Sequence, residues 1–331
     1  MSSRTPPGAS GPSARRSPLG DRRVFLLLAL VLAVAGFFGF LWWQEDASRA
    51  ARREQLVADV QAELQRESPD MDRLGDLMAG LMMLDDAETA SDLLAARAEI
   101  QLLRGRAERA YRIYGSVADS PSATPAEQRL GARIQLARQD GYAGDAASAQ
   151  AMLEQVVAFS RRAYDEGGGA AADAFRAWQA CKRLWSHERA AAFAAELAAT
   201  HPDSKEHRLV ALTSSFDAVR DRVAVKDLAL DFEGRAVAEL AALEIATTLQ
   251  SGAVPAALQL AERNLNRFAG VAGVRFALAI VLHACVLGKD AGSFDRASFA
   301  ERRDEQLTWL EARAPVDEAL RAQWQQMRAV R

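Results

Sequence analysis

His201 and His207, in "HPDSKEH" with Asp203 and Glu206 between them, are the densest grouping of metal-ligand residue types in the chain. A zinc site of the HExxH kind needs two imidazoles four positions apart, so that both face one side of a helix. A separation of six with a proline inside it does not supply that geometry, and the stretch reads as a surface loop capping the next helix. Of the other two histidines, His187 falls in a turn, and His283 lies in "AIVLHACVLG", where a lone imidazole in an apolar helix is a hydrogen-bonded core residue. Gly167 to Gly169 in "DEGGGA" lack the Lys and Ser/Thr of a phosphate loop and read as a connector, and there is no GxSxG elbow. Cys181 and Cys285 are too few and too distant for a CxxC site. They are two buried free thiols or, in an oxidising compartment, one disulfide. No catalytic, cofactor-binding or metal residue follows, and the chain reads as a non-enzyme. The alternative is an enzyme whose site is assembled from distant helices.

Charge narrows the partners. The 331 residues sum to −3, but residues 1–23 carry five arginines against Asp21, and 24–43 carry no charge, which leaves −7 for residues 44–331. A body that acidic, without a basic stripe, excludes nucleic acid as the expected partner.

The uncharged stretch "VFLLLALVLAVAGFFGFLWW", residues 24–43, spans about 30 Å as a helix, the thickness of a bilayer's hydrocarbon core. Ala33-Val34-Ala35 resembles a signal-peptidase site, so cleavage near Ala35 and secretion is one alternative. The apolar run continues past Ala35 to the interfacial pair Trp42-Trp43, which favours a retained transmembrane helix. Arg15, Arg16, Arg22 and Arg23 place the disordered Pro-, Ser- and Gly-rich tail 1–23 in the cytoplasm and the body outside it.

After Trp43 the periodicity is helical. Leu56, Val57, Val60 and Leu64 share a face, as do Leu74, Leu77, Met78, Leu81 and Met82. The four methionines from Met71 to Met83 read as packing residues. A coiled-coil oligomer through 52–67 is a further alternative, although its stripe is short. Thr124-Pro125-Ala126-Glu127 is a capping box that should open a helix, and Ser298 with Glu301 has the same spacing. Pro121, Pro202 and Pro315 stop helices, and Gly105, Gly144 and Gly252 stand at turns suited to positive φ. One segment, Arg222 to Gly234, alternates apolar and polar residues and reads as a short extended piece or linker. Trp178 and Trp185 are expected in the core.

Short turns make the helices a string of hairpins. Four of them align so that Ala110, Ala149, Ala190 and Ala257 each lie five positions after the turn, with Trp185 at the third turn where glycine is expected. The alanines permit close approach of the second helix to the first. Tyr114, Leu153, Ala194 and Ala261 follow one turn later, and Ala98, Ala137 and Ala180 are small positions on the first helices. Ser204–Leu230 is a worn copy. This pattern resembles the tetratricopeptide repeat in degenerate form, since the alanine spacings are 39, 41 and 67. The resemblance implies an all-α protein: tail 1–23, transmembrane helix 24–43, connecting helices 44–86, helical repeats 87–234, and C-terminal repeats 235–331. It further implies a groove that holds other proteins or peptides, with no cofactor, and by analogy an assembly or chaperone-like role in a bacterial envelope, anchored in the inner membrane with a periplasmic body. Residues such as Arg97, Glu99, Arg133 and Arg138 would line that groove or form its solvated outer face.

Overall fold

The computed structural model describes residues 42, 44–64, 66, 69–84, 91–214, 221–232, 237–288, 293–313, 315 and 318–330. The apolar stretch 24–43 lies outside them apart from Trp42, and so does the tail 1–23. Among the described residues no helix is long and apolar enough to cross a membrane. The same residues form fifteen helices and no strand. They are α1 (44–64), α2 (Met71–Leu84), α3 (Ser91–Leu103), α4 (Ala107–Ala118), α5 (Pro125–Gly141), α6 (Ala146–Glu166) and α7 (Ala171–Arg183). Then follow α8 (His187–Thr200), α9 (Lys205–Ser214), α10 (Arg222–Asp231), α11 (Ala238–Gln250), α12 (Val254–Arg267), α13 (Ala272–Leu287), α14 (Ser293–Glu311) and α15 (Glu318–Ala329).

Local signals set many of the boundaries. Thr124 caps α5: its hydroxyl accepts from the Glu127 N–H at 3.3 Å, and its own N–H donates to the Glu127 carboxylate at 2.6 Å. Removing such a cap costs about 1 kcal/mol. Asp145 caps α6 by accepting from the Ser148 N–H at 2.7 Å. Pro121, Pro202 and Pro315 each stand just beyond the end of a helix. The second capping box is not realised. Ser298 sits inside α14, which begins at Ser293, because the helical pattern already runs through that position and leaves no free N-terminus to cap.

The alternating segment is also helical. In α10, Val225, Leu228 and the following Phe232 are buried at helical spacing, whereas Val223 and Leu230 are exposed. Apolar residues on both faces produced the apparent alternation, and the Asp221 side chain, accepting from the Ala224 N–H, starts the helix. α9 and α10 pack as a pair, with Arg208 on Asp231 at 2.6 Å.

Each helix packs on the next along most of the chain. The alanines decide how closely. Ala98, Ala110, Ala180 and Ala257 have no exposed surface and Ala190 has little, while Ala149 is half-buried. The stripes of α1 and α2 meet, with Val60, Leu74, Met78 and Leu81 in one cluster, whereas Met83, read from the sequence as a packing residue, points to solvent. At the other end Arg303 is fully buried in α14 and donates to the Val330 carbonyl at 3.0 Å, which ties down the end of α15.

The chain also folds back on itself. The loop between α12 and α13 reaches the end of α5: the Gly270 N–H donates to the Asp140 carbonyl at 2.9 Å, and Gln139 Nε2 donates to the Gly270 carbonyl at 2.8 Å. Arg313, beyond α14, donates to the Ala143 carbonyl at 2.8 Å. Contacts between residues so distant in sequence bring the end of α5 to α7, α11 and the α12–α13 loop.

Candidate binding groove

In the histidine loop the Ser204 hydroxyl accepts from the His207 N–H at 3.1 Å and caps α9. His201 Nε2 lies 2.6 Å from the Gly169 carbonyl and His207 Nδ1 2.7 Å from the Pro202 carbonyl, so both rings are spent on backbone. Among the described residues no three His, Cys, Asp or Glu side chains converge as a metal site. His187 is the first residue of α8. His283 is half-buried beside Arg303, and burial, then that guanidinium, depress its pKa. Cys181 and Cys285 are free thiols, both pushed up in pKa first by burial.

The charged residues proposed for the groove separate into two places. Arg133 on α5 pairs with Glu99 on α3. Beside it Arg129 and Arg176 both bond the buried Asp173 at 2.7 Å. Arg138 pairs instead with Glu108 on α4 and stacks on Tyr111, its guanidinium 3.7 Å from the ring centroid. Arg97 is half-buried.

At the C-terminal ends of α5 and α7 lies a buried polar network that reaches α11. Arg183 Nε donates to Glu239 at 2.9 Å, and its Nη1 donates to Asp140 at 2.7 Å and to Gln139 at 2.6 Å. Gln179 donates to the second Glu239 oxygen at 2.6 Å. Burial alone would depress Arg183, but the Glu239 and Asp140 carboxylates outweigh it and raise its pKa. Burial pushes Glu239 up, and Arg183 outweighs burial and holds it below the ordinary value. For Asp140 burial wins and its pKa is raised. The sequence presents Lys182-Arg183 as a solvated helix end, so nothing local marks this network. It exists because α11 is brought to α7.

Two cavities flank the network. The larger, about 640 Å³, lies between α11 and α13 and is walled by Ala242, Leu243, Ala246, Phe276, Ala277 and Ile280. The smaller, about 360 Å³, lies against Leu153, Trp309 and Arg313. Arg183, Trp185 and Ala272 line both. Trp178 is in the core as expected, stacked on Phe175 with centroids 5.5 Å apart. Trp185 is not: it is 36 % exposed at the cavity wall, because it occupies a turn rather than a helix face.

That turn is unusual. Among the described residues Trp185 is the only non-glycine at positive φ, at 58°. Its N–H donates to the Lys182 carbonyl and the Ser186 N–H to the Cys181 carbonyl. Gly105 and Arg106 make the equivalent bonds to Leu102 and Gln101, with Gly105 at φ 69°. Gly252 takes φ 79° at the corresponding place after α11. A side chain in this conformation costs roughly 1–2 kcal/mol. Gly144 differs from the expectation: it is not left-handed, since the longer α5–α6 turn runs through extended Tyr142 and Asp145. A Cβ there would collide with the Tyr142 ring.

Lys182 completes the cavity rim. It is half-buried, its Nζ is 4.8 Å from the Trp178 ring centroid, and no carboxylate among the described residues lies within 4.0 Å of it. Burial depresses its pKa, against the raising influence of Glu239. No protein-family model and no curated protein matches this chain.

Proposed function

We propose that the chain is a membrane-tethered adaptor whose helical hairpins, a degenerate tetratricopeptide-like solenoid, hold other proteins or peptides in a shared groove. One observation supports this reading: the described residues are all helical or connecting, and each helix packs on the next along most of the chain with small buried alanines at the contacts, as a helical-repeat scaffold would. Stacked helical hairpins offer an extended surface to a protein partner, on which charges such as Arg133 fix register. Residues 24–43 are the tether, the tail 1–23 stays in the cytoplasm, and the body stands on the outer side of a bacterial inner membrane. Confinement near the membrane raises the effective concentration of weakly bound partners. By analogy with repeat proteins of similar layout, we infer an assembly or chaperone-like role in the envelope.

The test is photo-crosslinking in intact membranes, with a photoreactive residue placed at Arg133 and, as the control, at solvent-facing Leu230. A discrete partner captured from position 133 alone supports the adaptor. Equal capture from both positions, or release of the protein by alkaline carbonate, overturns it.

A further inference from the structure

The cavity between α11 and α13 contains more apolar wall than any polar ligand could use. Of its six polar lining residues, four are already committed. Arg183 and Glu239 bond each other, and the Thr213 and Ser214 hydroxyls both donate to the Val210 carbonyl at 2.9 Å. Gln250 and Lys182 remain. No carboxylate among the described residues lies within 4.0 Å of the Lys182 ammonium, although Glu239 is near enough to act on its charge.

This inventory discriminates among occupants. An extended peptide buries an N–H and a C=O at every residue, and each needs a partner that these walls lack. A partner helix satisfies its own backbone but is 10–12 Å across. Glu239 to Gln250 is three turns of α11, about 16 Å, and the cavity of about 640 Å³ runs beside it. An unbranched aliphatic chain carries no internal polar groups, and a single anionic end would meet Lys182, the other lining cation, Arg183, being paired with Glu239. The volume also falls within the usual range for small-molecule clefts.

We propose that this cavity binds a single-chain aliphatic carboxylate, with its chain between α11 and α13, its carboxylate on Lys182, and the Trp185 indole as the wall beside the head group. The strained turn supports this assignment. Glycine serves at the equivalent turns, and a tryptophan retained in a left-handed conformation marks a position where the side chain is needed in place of the unstrained backbone. The chain's own uncharged segment 24–43 has no carboxylate to offer, and the tail before it is basic. This ligand is additional to the adaptor reading and does not rest on it.

The experiment uses the full chain in lipid nanodiscs, with empty nanodiscs as the partition control and a diazirine-bearing hexadecanoate as the probe. Labelled residues are mapped by mass spectrometry. The expected labels lie on Ala242–Leu249 and Phe276–Ile280. They should be competed by hexadecanoate, and about tenfold or more less well by hexadecanol or hexadecylamine. Labelling should fall about tenfold in Lys182→Gln, recover in Lys182→Arg, and fall in Trp185→Gly, which keeps the turn. Circular dichroism checks that each variant is folded. Labels confined to 24–43, or competition indifferent to head-group charge in the unaltered protein, overturn the proposal whatever the variants do. Competition by an apolar peptide but not by hexadecanoate overturns it in favour of a protein occupant. Partner capture at position 133 is measured separately and can fail or succeed independently.

Discussion

Arg183 on α7 and Glu239 on α11 face each other at 2.9 Å, each side chain only 7 % exposed. With Asp140 they join three helices that the chain order does not make neighbours. Removing one partner of a buried pair strands the other charge in a low-dielectric site, typically at about 3–5 kcal/mol. Glu239→Ala should therefore lower the unfolding free energy by that much, read as a lower urea midpoint at unchanged slope. Replacing Arg183 and Glu239 together by Met and Leu should recover most of the loss. A single variant as stable as the unaltered protein would show that the pair is not buried.

The closure at Gly270 is steric as well as polar. A Cβ there would press into the Gln139 carbonyl and stand 2.6 Å from the Tyr142 carbonyl, both backbone atoms with little freedom to give way. Gly270→Ala should cost roughly 1–3 kcal/mol or more. Gly75→Ala meets nothing within 4 Å on an ordinary helix and should be neutral or mildly stabilising. Thermal melts of the two variants make the comparison.

The strain at Trp185 can be separated from the packing of its indole. Trp185→Gly and Trp185→Ala both lose the ring, but only alanine keeps a Cβ in the left-handed turn. The glycine variant should be the more stable of the two by about 1 kcal/mol. Equal stabilities would mean the turn relaxes to another conformation.

Asp145 gives the protein an acid sensitivity. Bonds from the Ser148 backbone and then the Tyr142 hydroxyl hold its carboxyl down to about 2, against an ordinary 3.8. A depressed carboxyl stabilises the fold when ionised. Its contribution is complete above the ordinary value and fades as pH falls from about 4 toward 2. Asp145→Ala should melt lower at neutral pH and lose less stability on acidification. Parallel acid-dependence curves for the two proteins would contradict this.

The sequence alone determined what depends on neighbours within a few turns. The capping box at Thr124, the proline stops, the left-handed glycines at 105 and 252, and the alanines at helix contacts all act through atoms close in the chain. Helical periodicity therefore made the all-α class legible before any coordinates. Where apolar residues covered both faces, as in α10, that periodicity misled, because burial of Val225 and exposure of Val223 depend on what packs against them. The groove belonged to tertiary structure alone. Lys182 and Arg183 have the composition of a solvated helix end, and only the approach of α11 buries one on Glu239 and leaves the other at the rim of an apolar cavity. The oddity of Trp185 at a glycine position was visible in sequence. Its exposure was not, since burial is a sum over contacts that the fold brings from far along the chain.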